Sequence, residues 1–172
     1  IDPLALKIAS AKITTIDPKT VYKVGHEIVV NSQKKVFNQK DLLEKILTER
    51  FDQKTKEFVD YWFTHRVQIE IIALISEIET ISDDRLRNFF ELALSAIIIT
   101  KSGGVSLALD LAHTRPHKPK IVIDINGQIM EGMDFLSDRS SKMKTLTKRL
   151  KSPISEFEKR YKKNIAGLTT KP

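Results

Sequence analysis

The stretch from Phe89 to Ile99 constrains the fold most, because it is apolar on almost every side of a helix. Phe89, Phe90 and the run 92–99 are apolar, with Ser95 as the exception within that run. A helix without a polar face is stable only when other elements surround it. Ser82-Asp83-Asp84 supplies a helix start and Gly103 a stop. The sequence therefore predicts a central, buried helix over about residues 84–101.

Other segments carry helical signals around this central helix. Apolar positions recur at helical spacing over residues 64–79, with Thr64 as the cap. Helices are also predicted over residues 2–15, 39–50 and 154–165, which begin at Asp2-Pro3, Asn38 and Ser152-Pro153. The last of them is mostly polar with a narrow apolar seam, so it must pack on the body, on a preceding basic helix or on nucleic acid.

Two segments carry β-type patterns. Residues 121–130 predict a hairpin, because Asn126-Gly127 supplies the two positive-φ positions of a tight turn. Residues 21–37 mix β-branched runs with Gly25 and Asn31-Ser32, which predicts a hairpin or an irregular arm. The predicted fold class is therefore mainly α, with one or two small β-hairpins.

All of the excess positive charge lies in residues 139–172. They contain eleven Lys or Arg and two Glu, a net charge of +9, whereas the other residues hold 18 basic and 20 acidic side chains. A basic segment on a near-neutral body is typical of nucleic-acid contact. We predict a helical body, residues 1–138, with the hairpins and a basic loop at 113–120, and a basic C-terminal helical segment, residues 139–172. The predicted phosphate contacts there are Lys148, Arg149, Arg160, Lys162 and Lys163, and a solvated basic face is the alternative.

The loop at residues 113–120 is the second basic feature. Pro116 and Pro119 fix their own φ angles and favour extended backbone before them, so the loop should stand off the fold. Arginine can donate two hydrogen bonds to phosphate or guanine, and lysine adds a point charge. The predicted DNA contacts are His113, Thr114, Arg115, His117, Lys118 and Lys120. An ordinary solvated connector is the alternative interpretation.

Several classes of site are missing from the sequence. The chain has no cysteine, which excludes disulfides, thiol catalysis and Cys-ligated zinc, and fits a reducing, cytoplasmic location. It has neither a Gly-x-Gly-x-x-Gly motif nor a Gly-Lys-Ser/Thr loop to bind phosphate. Its apolar runs are all much shorter than the roughly 20 residues of a membrane span. His113 and His117 lack a third ligand nearby, so no metal site is predicted. No active site and no membrane partner are expected.

Short patterns in order along residues 1–120 resemble one enzyme family. Residues 1–15 read IDPLALKIASAKITT and residues 60–64 read DYWFT. Further patterns are LRNFF at 86–90, ALSA at 93–96, KSGGVS at 101–106 and DLAHTRPHK at 110–118. Together they resemble S-adenosylmethionine-dependent DNA amino-methyltransferases of the N4-cytosine/N6-adenine group. In that family an Asp/Asn-Pro-Leu-Ala helix follows an acidic strand end, and one subgroup then has a helical insertion.

The resemblance implies that the chain is the helical insertion or target-recognition part of such an enzyme. The family's glycine-rich cofactor loop would precede Ile1, and its Asn/Asp/Ser-Pro-Pro-Tyr/Phe catalytic motif does not occur here. The chain is therefore expected to bind DNA without catalysing methyl transfer alone, and the rest of a methyltransferase is a second candidate partner. No cofactor is expected for the chain alone. S-adenosylmethionine would belong to the complete enzyme, with Asp2 as the candidate nearest to it.

Two other interpretations remain open. One is a helical protein–protein interaction module, in which the seam of the last helix docks on a partner and the basic tail is solubilising. The other is a complete enzyme whose missing strands lie outside this sequence, which begins at Ile1 without an initiator Met. The aromatic cluster Phe58, Tyr61, Trp62 and Phe63 is predicted to pack in the core, with base stacking as the alternative.

Overall fold

Six helices and three short strands make up the part of the chain that the computed structural model describes, which is residues 2, 5, 8, 16–98, 104–109, 118–135 and 146–169. The helices are α1 (Pro18–Asn38), α2 (Lys40–Arg50), α3 (Gln53–Trp62), α4 (His65–Ile78), α5 (Asp84–Ile98) and α6 (Pro153–Thr169). The strands are β1 (Ile121–Ile123), β2 (Ile129–Glu131) and β3 (Thr147–Arg149), with a 3-10 turn at Met133–Phe135. The predicted fold class, mainly α with a small β element, is confirmed.

Helix α5 is the central buried helix that the sequence predicts. The Asp83 carboxylate accepts a hydrogen bond from the Arg85 amide at 2.8 Å, which caps the helix start. Phe90 is fully buried, and its ring centroid lies 6.1 Å from that of Phe157 and 6.0 Å from that of Tyr161. The predicted end of the helix near residue 101, with Gly103, lies outside the described residues.

Helix α4 joins the two largest apolar clusters of the described core. It begins after Thr64, as predicted, and its Val67 and Leu74 pack in the same cluster as α5. Another face of α4 packs on Leu43 and Leu47 of α2. Helix α2 itself begins one residue later than predicted, because Gln39 rather than Asn38 occupies the cap position.

The prediction of a hairpin or irregular arm at residues 21–37 is wrong, because this segment is the longest described helix, α1. The Asp17 carboxylate accepts hydrogen bonds from the amides of Lys19 and Thr20 at 3.3 and 2.9 Å, and Pro18 fixes the first helical φ. Its buried positions recur at helical spacing: Val21, Gly25, Ile28, Val29 and Ser32. Burial of this face outweighs the weak β preference of its branched side chains.

Helix α3 carries the aromatic cluster and was not predicted. The Asp52 carboxylate caps it by accepting a hydrogen bond from the Thr55 amide at 2.7 Å. None of its side chains is buried: Phe58 and Tyr61 are exposed, and Trp62 and the following Phe63 are partly buried. The prediction that the aromatic cluster packs in the core is therefore wrong for Phe58 and Tyr61.

The predicted hairpin is confirmed as the antiparallel pair β1 and β2. Its turn differs from the predicted one, because Gly127 has a φ of 87° while Asn126 does not have a positive φ. The Asp124 carboxylate instead holds the turn by accepting from the amides of Asn126 and Gln128 at 2.8 and 2.7 Å. Strand β3 pairs parallel to β1, which gives the order β2-β1-β3.

The prediction of a basic helical segment over residues 139–172 is wrong at residues 147–149, because these form strand β3 by pairing with β1. The predicted helix over residues 2–15 and the predicted division at residue 139 fall mostly or wholly outside the described residues. Among the described helices, none combines the length and the apolar character that crossing a membrane requires.

Candidate nucleic-acid interface

The apolar seam of α6 fixes the position of the helix on the body. Ile154, Phe157 and Tyr161 are buried with residues of α1, α4 and α5. Tyr161 lies against Gly25 of α1, where an added Cβ would stand 2.7 Å from the tyrosine ring. Of the three predicted packing partners of α6, the body is therefore the one observed. The seam is covered, so it is not free to dock on another protein.

The start of α6 is fixed by a carboxylate from α4. The buried Glu70 accepts a hydrogen bond from the Ser152 hydroxyl at 2.5 Å and from the Ile154 amide at 3.3 Å. The Ser152 hydroxyl also accepts from the Ser155 amide at 3.3 Å. A negative charge at a helix N-terminus is favourable because it meets unpaired N–H groups and the positive end of the helix dipole. Glu70 thus holds the basic helix on the body at a defined point.

The outer face of α6 is basic, and both of its glutamates are paired. Lys159 contacts Glu156 at 2.8 Å, and Lys162 contacts Glu158 at 2.6 Å. The hydrogen bond with Glu158 raises the pKa of Lys162 above its usual value, so this side chain stays charged. Lys163 is exposed beside them. The face therefore offers a net positive charge to solvent.

The basic face continues onto α1. The Lys162 ammonium lies 5.8 Å from the centroid of the exposed Tyr22 ring, which joins the two helices at the surface. Lys19 and Lys23 are exposed on α1, three residues before and one residue after Tyr22. We call Lys19, Tyr22, Lys23, Lys162 and Lys163 the α1–α6 surface.

Sequence reasoning missed the α1 part of this surface because it did not recognise α1 as a helix. A helical reading of residues 18–38 places Lys19, Tyr22 and Lys23 beside the apolar positions that pack on α6. The Asp17-Pro18 helix start was the signal that pointed to it. The α6 part of the surface was predicted, as Lys162 and Lys163.

Lys148 is a correction to the predicted phosphate contacts. Its side chain is buried, with 5% of the residue exposed, and its ammonium donates to the carbonyls of Gly104 and Ala108, each at 3.2 Å. Burial, with a smaller effect of Lys151, lowers the pKa of Lys148 to about 8. The ammonium holds the 104–109 segment to the sheet and cannot reach a phosphate. Alternation along β3 leaves Arg149 exposed.

The remaining predicted contacts of the C-terminal segment and loop divide by placement. Arg160 is half-buried and donates to the Ala96 carbonyl of α5 at 3.5 Å, so part of its hydrogen-bonding capacity faces the body. Lys118 and Lys120 are exposed, and the Lys118 ammonium lies 3.7 Å from the centroid of the Tyr61 ring. His113, Thr114, Arg115 and His117 lie outside the described residues.

Among the residues that the structure describes, histidine and carboxylate side chains form no second candidate site. His65 forms a contact of 2.6 Å with Glu44, and His26 is exposed on α1. Over the described ranges, no group of three His, Cys, Asp or Glu side chains is placed to bind a metal. Asp2, the candidate nearest to a cofactor, is exposed, and its proposed role remains a prediction.

Comparison of the chain with protein-family models, with curated proteins and with solved structures found no match.

Proposed function

We propose that the chain is the DNA-binding, target-recognition helical part of an S-adenosylmethionine-dependent DNA amino-methyltransferase and is not catalytic alone. The observation that carries DNA binding is the α1–α6 surface, in which Lys162 of α6 lies 5.8 Å from the exposed Tyr22 ring of α1 and Lys19, Lys23 and Lys163 are exposed on the same two helices. Lysines on a fixed surface can neutralise successive phosphates and release the counterions bound to them. The assignment to a methyltransferase rests on the sequence patterns along residues 1–120.

Two groups of residues have different roles in this proposal. Lys19, Lys23, Arg149, Lys162 and Lys163 contact the phosphate backbone and fix the orientation of the protein on DNA. Arg115, with His113, Thr114, His117, Lys118 and Lys120 beside it, reads a base edge or contacts phosphate from the basic loop. Because affinity resides mainly in the first group and sequence preference in the second, substitutions can separate them.

Salt dependence of duplex binding tests the DNA-binding part of the proposal. Lys19, Lys23, Lys162 and Lys163 are changed together to Gln, which keeps polar, exposed side chains. Affinity is measured by fluorescence anisotropy at several salt concentrations. We expect the negative slope of log affinity against log salt to become less steep by about 0.9 for each phosphate that the variant no longer neutralises. Deleting residues 139–172 would be a poor test, because Phe157 and Tyr161 belong to the core.

A control variant changes Lys40 and Lys45 to Gln, since both are exposed on α2, and its effect is compared per charge removed because it loses two charges rather than four. The control should keep most of the salt slope. Equal slopes for the unmodified protein and the α1–α6 variant would remove this surface from the DNA interface.

The methyltransferase part is tested by the gene that encodes the chain. If the proposal is right, a glycine-rich cofactor loop should be encoded upstream of residue 1 and an Asn/Asp-Pro-Pro-Tyr motif downstream of residue 172. If both are absent from an intact gene, the methyltransferase assignment is wrong and only the DNA-binding part of the proposal remains.

A further inference from the structure

The outer face of α3 displays aromatic rings that the fold does not use. Phe58 is 62% exposed and Tyr61 is 52% exposed, and they are three residues apart, on one side of the helix. Single exposed aromatic residues are common, whereas two adjacent rings on one helix face form a platform. The two rings are exposed on one side of a helix that is capped by Asp52.

Positive charge lies over one face of the Tyr61 ring, so a base can stack on Phe58 and on the other face of Tyr61. The Lys118 ammonium lies 3.7 Å from the Tyr61 ring centroid, within the range of a cation–π contact. Lys54 is exposed on the same face, one helical turn before Phe58. The ammonium groups therefore lie where a phosphate would follow a base stacked on the rings.

Of the two acidic side chains of α3, Asp60 is paired with a lysine, whereas the hydrogen-bond donor to Glu57 is a neutral amide. Asp60 is held by the Lys56 ammonium at 2.5 Å and by the Gln68 amide at 3.0 Å. Those hydrogen bonds keep the pKa of Asp60 below its usual value, so it remains a paired carboxylate. Glu57 accepts a hydrogen bond from Gln53 at 3.0 Å.

We propose that Phe58, Tyr61, Lys54 and Lys118 form a binding site for single-stranded nucleic acid, in which unpaired bases stack on the two rings and the lysines contact the adjoining phosphates. Aromatic stacking tolerates any base sequence because every base has a π face. The site is distinct from the α1–α6 surface, which is suited to the backbone of a duplex. The inference rests on the proposed nucleic-acid binding and adds a preference for unpaired strands.

Trp62 provides a local reporter for this site. It is the one tryptophan of the chain, and its ring lies edge-on to Tyr61 with centroids 4.8 Å apart. A base that stacks on the platform should quench Trp62 fluorescence. Binding of a duplex at the α1–α6 surface should leave that fluorescence unchanged.

The test compares three probes on the whole chain: a single-stranded oligothymidylate, an abasic strand of the same length and phosphate number, and a duplex. We expect oligothymidylate to quench Trp62 and to bind about tenfold more tightly than the abasic strand. Phe58→Leu and Tyr61→Leu should each weaken oligothymidylate binding about tenfold and leave duplex binding unchanged. Phe37→Leu is the matched control, because Phe37 is 88% exposed at the far end of α1.

The results of this test separate the inference from the proposed function. Equal affinity for the abasic strand and oligothymidylate, or leucine variants that bind like the unmodified protein, would overturn the site while duplex binding stands. If the leucine variants instead change only self-association in sedimentation experiments, the platform is a protein contact and the inference is wrong. If the unmodified protein does not bind the duplex at all, the proposed function itself is contradicted. Because neither ring is buried, circular dichroism should show unchanged folding for both variants.

Discussion

At the residue scale, Gly25 is the position where the packing of α1 on α6 leaves least room. An added Cβ would lie 2.7 Å from the buried Tyr161 ring, closer than carbon atoms normally approach. Gly25→Ala should therefore lower the free energy of unfolding by about 1–3 kcal/mol, as measured by urea denaturation, although alanine is the better helix former. Gly167→Ala is the control, since a Cβ there meets no atom within 4 Å and should be neutral or stabilising.

Arg115 is the residue on which the predicted sequence preference depends. If it reads a base edge, Arg115→Lys should lose the forked geometry and relax preference at one position by about 1–3 kcal/mol. Lys163→Ala should weaken binding to all sequences alike, because Lys163 is an exposed lysine of the α1–α6 surface. A competition assay with single-base variants measures both. Equal weakening of every sequence by Arg115→Lys would make that residue a phosphate contact.

At the scale of elements, the start of α6 depends on one carboxylate of α4. Glu70→Gln keeps the size of the side chain but removes the charge that meets Ser152 and the Ile154 amide. We expect a loss of about 1–2 kcal/mol in the free energy of unfolding, measured by urea denaturation. Glu79→Gln serves as the control, because its pair with Arg50 is largely exposed and should contribute less than about 1 kcal/mol. Equal effects of the two substitutions would contradict a capping role for Glu70.

The contact between β3 and the 104–109 segment makes stability depend on pH. Burial lowers the pKa of Lys148 to about 8, so between pH 8 and its usual value of 10.5 the unfolded chain binds more protons than the folded chain. The free energy of unfolding should therefore rise with pH across this window, by at most about 3 kcal/mol from this side chain. Urea denaturation from pH 7 to about pH 10 measures it. Lys148→Met should remove this rise, and parallel pH profiles for the two proteins would contradict the assignment.

Elements with strong local signals could be predicted from the sequence, and those decided by tertiary packing could not. The continuous apolar run of α5 and the Thr64 start of α4 indicated their helices directly. Helix α1 was missed because Glu27-Ile-Val-Val30 has β-type residues, whereas its helical face is decided by packing on Tyr161. Helix α3 was missed because four of its last five residues are aromatic or β-branched, types that strands also favour, although the Asp52 start was a usable signal.

Only part of the candidate site could be predicted from the sequence. Charge counting located the basic end of the chain and named Lys162 and Lys163. It could not show that Lys148 turns inward, because alternation along β3 becomes visible only once residues 147–149 are known to be a strand. Charge counting also could not show that Tyr22, with Lys19 and Lys23 near it on α1, lies close to Lys162 of α6, because these residues are more than 100 positions apart in the sequence.

For the whole molecule, the proposal predicts DNA binding without methyl-transfer chemistry. The isolated chain should give no measurable heat with S-adenosylmethionine in calorimetry, because the cofactor loop and the Pro-Pro-Tyr motif are not in its sequence. It should also transfer no labelled methyl group to DNA, with an intact DNA amino-methyltransferase as the positive control. Methyl transfer by the pure chain would show that its own residues hold both the cofactor and the base.

The packing of α6 on α1 also sets an order of events on the ribosome. Tyr161 is translated more than 130 residues after Gly25, which is roughly ten seconds at ordinary elongation rates. During that interval the apolar face of α1, including Val21 and Ile28, has no α6 to cover it. A nascent chain stalled before residue 153 should therefore be retained by chaperones, whereas one that has exposed residue 169 outside the exit tunnel should be released.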